Sequence, residues 1–144
     1  MSNIRFAYTN LVEAATFNNV PSADASYPAA NVKDGNRYIL WKTAVGPASP
    51  AYMELDFGAA VAITTAAVLN MSSTISSIAV ESSSTGLGGS WTLRGTITPA
   101  GAVDGGVVFG SQSFRYWRFG FTNSAQFTVG TVWQIGRASC RERV

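Results

Sequence analysis

Glu54 and Asp56 stand two apart in AYMELDFG, which puts both on one face of a strand, and paired carboxylates are the equipment of glycoside hydrolysis. The same alternation accounts for them without catalysis, because the outward positions of a half-buried strand are polar. Ser and Thr are abundant, but the chain has no histidine, so a serine nucleophile lacks its usual base. Arg94, Arg115 and Arg118 cannot replace it, since a guanidinium does not deprotonate near neutral pH. The Gly-rich STGLGGS lacks the Lys-Ser/Thr of a phosphate loop and precedes no helical pattern, which makes it a hairpin turn. These residues point away from an enzyme. Arg37 and Tyr38, consecutive after the Asp34-Gly35 turn, offer different chemistry: a ring to stack on the apolar face of a sugar beside donors for its hydroxyls.

The elements that must position such residues are strands. Apolar residues come in short bursts with a period near two, separated by clusters of Gly, Pro, Ser and Asn. In AYMELDFG, Met53, Leu55 and Phe57 alternate with Tyr52, Glu54 and Asp56, and VAITTAAVLN follows a two-residue turn region. SSIAVESS sets Ile78 and Val80 inward, and FRYWRFGF sets Trp117, Phe119 and Phe121 on one face against Tyr116, Arg118 and Gly120. STGLGGS, TPAGAVDGG and TNSAQ read as turns or loops. The one helical turn predicted lies in YPAANVKDG, with Pro28 near its start and Gly35 near its stop. About seven or more short strands of this spacing make an all-β sandwich or barrel.

The end of the chain, QIGRASCRERV, departs from this composition: it holds the only cysteine, Cys140, and Arg137, Arg141 and Arg143. IGRASCRERV is one reading frame of a common sequencing-library adaptor, and the adaptor's preceding bases also supply Gln134. Native coding is therefore expected to stop at Trp133 or within codon 134, which divides the chain into a domain over 1–133 and a non-native tail over 134–144. Without the tail, Lys plus Arg falls from 10 to 7 and Asp plus Glu from 8 to 7, so the domain is formally neutral. The isoelectric point near 8.9 then belongs to the tail and argues for neither nucleic acid nor an acidic membrane. The domain offers no disulfide and no thiolate metal site. Residues 1–8 lack the apolar stretch of a secretory signal, and no run approaches the roughly 18 to 20 apolar residues of a membrane span.

Four stretches in order narrow the fold further. YPAANVKDGNRYILW resembles the early Pro-Ala-x-Asn-x-x-Asp-Gly signature of discoidin-type domains, the coagulation-factor type C family of the galactose-binding-like fold. AYMELDFG is similar to that family's W-x-x-[IV]-D-[LF]-G strand, IAVESSSTGLGGSWT to its strand, polar turn and tryptophan, and FRYWRFGF to its R-Y-[VIW]-R-[IL] strand. The resemblance spans Tyr27 to Phe121 and implies a jelly-roll β-sandwich. The opening residues and the closing FTVGTVW are similar to small discoidin-like proteins of tailed phages and prophages. That branch implies a virion protein assembled in the host cytoplasm, which would also explain a missing signal peptide. Its last strand would be Gly130, Thr131, Val132 and Trp133.

The resemblance also sets expectations for a site. Many discoidin-like carbohydrate modules hold a structural calcium near the Asp-Gly turn, and Asp34 and Asn36 match the start of that loop. Leu40 stands where a Ser or Thr ligand is expected, and Thr128 or Val129 where an acidic one is. No cofactor is therefore predicted, and Asp34 reads as an Asx-turn or helix-end residue. Recognition in this fold uses loops at one end of a rigid sandwich. The candidate contacts are Asn18 and Asn19 in the first long loop, Asn36, Arg37 and Tyr38 after the Asp-Gly turn, and Trp41; a place in the core is the alternative for Trp41, Trp91, Trp117 and Trp133. The expected activity is non-catalytic binding of host-surface glycan. The alternatives are a purely structural domain docking other tail proteins and a carbohydrate module severed from a glycosidase.

Overall fold

The computed structural model of the protein describes residues 10–44, 51–123 and 125–136. Among them lie eight strands: β1 (Thr16–Asn19), β2 (Trp41–Lys42), β3 (Ala51–Leu69), β4 (Ile75–Ser83), β5 (Thr92–Ile97), β6 (Gly105–Asn123), β7 (Thr128–Val129) and β8 (Thr131–Ile135). The large sheet runs β1-β3-β6-β4-β5, with β8 paired to the far half of β3, and β2 pairs with β7 in a small antiparallel ribbon. Two short 3-10 helices, Leu11–Ala14 and Ala29–Lys33, complete the regular structure among the described residues, and neither is long enough to cross a membrane.

β3 and β6 organise the sandwich. Each is 19 residues long, and their antiparallel register is broken between Asp56 and Val61 and again between Ile63 and Thr65. Such bulges bend a strand pair and increase its twist, which lets one hydrogen-bonded pair serve both layers. The first half of β3 pairs with β1 on one side, and its second half pairs with β8. AYMELDFG and VAITTAAVLN are thus one strand, where the sequence predicted a turn between two. Gly58 sits at φ +78, and Asp56 Oδ1 accepts its N–H at 2.7 Å, so the Asp-x-Gly unit makes a bulge that pairing with β6 spans.

Alternation places most of the core as the sequence predicts, but Phe57, read as inward, is only half-buried and Glu54, read as outward, is buried. Met53, Leu55, Ile78, Val80, Trp117, Phe119 and Phe121 are buried together with Trp41, Phe127 and Val132. Trp41 meets Phe121 and Phe127 edge-on, each at 5.5 Å between centroids, and its Nε1 donates to the Ser22 carbonyl at 3.1 Å. An indole enclosed this way cannot serve as a plate for a ligand, so Trp41 belongs to the core and not to the predicted contact surface. Trp91 and Trp133 are half-buried.

The 3-10 helix Ala29–Lys33 forms where the sequence predicts a helical turn, with Pro28 at its N-cap, Asp34 at its C-cap and Gly35 beyond at φ +74. The helix Leu11–Ala14 was not expected; Asn10 caps it by accepting the Val12 N–H at 3.1 Å. Two boundaries also differ. Asn18 and Asn19 lie on a strand, not in a loop, and β8 begins at Thr131 and continues through Gln134 and Ile135, which pair with Ala66 and Thr65. The expectation that no residue after Trp133 belongs to the fold is therefore wrong for these two. Residues 137–144 lie outside the described residues.

Candidate functional site

The turn after the 3-10 helix is built from its own side chains. Asp34 Oδ1 accepts the Asn36 N–H at 2.8 Å, and Asn36 Oδ1 accepts the Tyr38 N–H at 3.0 Å. The Asn36 carbonyl accepts the Ile39 N–H at 3.0 Å, closing the turn with Arg37 and Tyr38 at its corner. Three other segments hold that corner. Asn70, in the left-handed region at φ 53, gives its Nδ2 to the Arg37 carbonyl at 2.8 Å. Arg37 Nη2 donates to Asp104 Oδ1 at 2.7 Å, and the same oxygen accepts the Asn70 N–H at 2.9 Å. Gly130 lies so close beneath that a Cβ there would stand 2.1 Å from the Arg37 carbonyl oxygen.

The result is an aromatic side chain displayed from a fixed backbone: Tyr38 is 79% exposed. Asp104, the partner of Arg37, is held below the usual carboxylate range, first by the Asn70 N–H and then by the Arg37 guanidinium, against an opposing effect of burial. It is ionised at neutral pH. Asp104 and Asn70 were not singled out in the sequence, because one sits in a stretch that reads as turn chemistry and the other at a strand end. No local signal marks either as a partner of Arg37.

Asn18 and Asn19 belong to a second group. Asn18 Nδ2 donates to Glu54 Oε2 at 2.8 Å and to the Gly86 carbonyl at 3.3 Å, and Asn19 Nδ2 reaches the Tyr52 hydroxyl at 3.3 Å. Arg118 links the carboxylates, with Nε on Glu81 Oε2 at 2.7 Å and Nη1 at 3.7 Å from Glu54. Its guanidinium lies 4.6 Å from the Trp91 ring and 5.5 Å from the Tyr52 ring. Asp56 takes two bonds from Arg115, at 2.7 and 2.9 Å, and these hold its pKa below the ordinary value. Every carboxylate of the sheet face is thus tied to an arginine, and the cluster laces strands together. Because the Asp56 pKa is depressed on folding, its share of stability is present above the ordinary carboxylate value and is lost as pH falls through the depressed one. In an acid titration followed by circular dichroism, Asp56→Asn should flatten the lowest-pH part of the unfolding curve.

Asp34 and Asn36, which match the start of a calcium loop, spend their side-chain oxygens on the turn itself, as the Asx-turn reading of Asp34 expects. No group of three or more His, Cys, Asp or Glu suited to a metal occurs among the described residues. Calcium wants roughly six to eight oxygens, usually with carboxylates among them, and the Asp34 and Asn36 oxygens that would begin such a set already accept backbone N–H groups. Chelation by EDTA should leave the melting midpoint unchanged; a fall of more than a few degrees would place a cation in the fold.

No protein-family model and no curated protein sequence matches the chain. Solved structures do. Chitosan-binding module 2 of a chitosanase/glucanase from Paenibacillus sp. IK-5, solved with chitotriose, is similar at a TM-score of 0.74 and 19% identity over 88% of this chain and 100% of that one. The family 32 carbohydrate-binding module of Clostridium perfringens NanJ, solved with galactose, gives 0.70 and 16% over 88% and 98%. SpGH29 gives 0.70 and 15% over 89% of this chain but only 28% of its own length. The likeness is one of fold: the protein is an all-β, galactose-binding-like jelly-roll sandwich.

Proposed function

We propose that the protein is a non-catalytic carbohydrate-binding module whose contact surface is the Asn36–Arg37–Tyr38 turn with Asp104 beside it. The observation that carries this reading is Tyr38, 79% exposed on a turn that Asn36, Asn70, Asp104 and Gly130 hold in place. A pyranose presents an apolar face and a rim of hydroxyls, and a turn that carries an exposed ring, an amide and a guanidinium, with a carboxylate paired to that guanidinium, supplies chemistry for both. Fold neighbours solved with chitotriose and with galactose support the class of ligand. The absence of histidine from the chain and the pairing of Glu54 and Asp56 with arginines support binding without turnover.

The setting we propose is an adhesion module of a tailed-phage or prophage particle, contacting host-surface glycan, on the strength of the opening residues and FTVGTVW. A second setting, as a module of a glycoside hydrolase, is favoured by the match to 28% of SpGH29 and by a neighbour drawn from a chitosanase/glucanase. Neighbouring genes separate the two: tail genes support the first, a hydrolase open reading frame the second.

The binding surface is tested with Tyr38→Ala. Loss of one aromatic contact should weaken retention on polysaccharide or host cells by about 1 to 2 kcal/mol with the melting curve unchanged, because an exposed turn side chain contributes little packing. Weak single-site affinity would be compensated by many copies on a particle. If glycan retention is untouched and particle assembly fails instead, the domain is a structural tail part.

A further inference from the structure

We infer that the Arg37–Asp104 pair reads a vicinal diol, taking one hydroxyl of an uncharged pyranose on the carboxylate and its neighbour on the guanidinium while the ring rests on Tyr38. The inference rests on the glycan reading of this turn and assigns Asp104 to ligand contact.

The pair is made through one contact only, Nη2 to Oδ1 at 2.7 Å, where arginine and carboxylate commonly form two. Oδ1 is already shared with the Asn70 N–H, so this oxygen has the structural duty. Asp104 Oδ2 has no partner among the described residues, and the two side chains are 38% and 44% exposed. An ionised carboxylate oxygen is an acceptor only and a guanidinium N–H a donor only. Held side by side at a surface, they suit two adjacent hydroxyls, one donating and the other accepting.

Charge narrows the ligand further. The pair sums to zero, so it offers an anionic uronate or a cationic amino sugar no net attraction to offset the hydration that its charge gives up on binding. A neutral sugar meets no such cost. The support is rigid as well: Asn70 holds the Arg37 carbonyl and Asp104 from one residue, and Gly130 leaves no room for the turn to sink.

Asp104→Asn isolates the ligand role. The amide keeps an oxygen for Asn70 and Arg37 and exchanges the unpartnered Oδ2 acceptor for a donor. Affinities of the whole chain and of this variant would be measured by calorimetry for galactose, glucose and mannose, their deoxy analogues, the matching uronates and the matching amino sugars. A neutral hexose should bind best, and the substitution should weaken it about tenfold, the size of a lost hydrogen bond to a charged group, while the chain stays folded with a melting midpoint lowered only slightly, because Asp104 also braces the turn through Asn70 and Arg37. Removing one hydroxyl of the bound diol should cost the native protein about as much and the variant little. Unchanged affinity in Asp104→Asn, with affinity lost in Tyr38→Ala, overturns the diol reading and leaves the glycan site standing. A preference for uronates or amino sugars overturns it also. If no hexose binds and Tyr38→Ala leaves polysaccharide retention unaltered, the inference and the site reading fall together.

Discussion

Trp117→Ala should lower the folding free energy by about 3 to 5 kcal/mol, the cost of truncating a large aromatic in a packed core. Trp117 is fully buried at the centre of β6, opposite Leu55 of β3 and Ser82 of β4. Phe109 stacks on it at 5.8 Å between centroids, Phe114 meets it edge-on at 6.5 Å, and its Nε1 donates to the Phe114 carbonyl at 3.1 Å. Alanine removes those contacts and leaves that carbonyl without its donor. The position lies where β6 leaves its bulge, so the surrounding strands are fixed by pairing on both sides and cannot close the cavity. Chemical denaturation followed by tryptophan fluorescence and circular dichroism gives the change. A midpoint like that of the native chain would mean that Trp117 does not face the core.

Gln134→Leu should change stability in the opposite direction, by about 1 to 3 kcal/mol, the range of a buried polar group relieved of its unmet hydrogen bonds. Gln134 is completely buried in β8, opposite Ala66, one of the core residues. Neither its Oε1 nor its Nε2 has a hydrogen-bond partner among the described residues, although its backbone N–H reaches Asn10 Oδ1 at 3.2 Å. Its alternation with Val132 puts the amide on the inward side of the strand, where leucine fits in volume and needs no partner. A lower midpoint for Gln134→Leu would show that the amide finds partners which the chain itself does not supply. The preference of the position for an apolar residue is independent of the adaptor codons. Recovery of the genomic locus with these codons intact in separate clones would refute the adaptor reading, whatever the stability result.

What the sequence determined by itself is what depends on near neighbours. Period-two alternation placed Met53, Leu55, Ile78, Val80, Trp117, Phe119 and Phe121 inward, because successive side chains of a strand point to opposite faces whatever the strand pairs with. The 3-10 turn at Ala29–Lys33 was legible for the same kind of reason, since Pro28 fixes its own φ and Gly35 supplies a left-handed one. The Arg37–Tyr38 turn was legible as exposed through its Asp-Gly and Asn residues. β1 was not legible: in Thr16-Phe17-Asn18-Asn19 only Phe17 is apolar, and the strand exists because β3 offers it an edge. Trp41 could equally have been a ligand plate or a core residue, and only Phe121 and Phe127, brought up on β6 and beside β7, enclose it. The end of β8 was hidden because the adaptor reading ended the domain at Trp133, while pairing with β3 carries the strand through Gln134 and Ile135. The site was decided at the longest range. Arg37 and Asp104 are 67 residues apart and Asn18 and Glu54 are 36 apart, so the candidate residues fall into two hydrogen-bonded groups whose partners only the folded sheet brings up. Side-chain alternation and turn chemistry are local and survive in any fold that keeps the strands, whereas which loops meet depends on register, bulges and closure, and those are set by the packing of the whole.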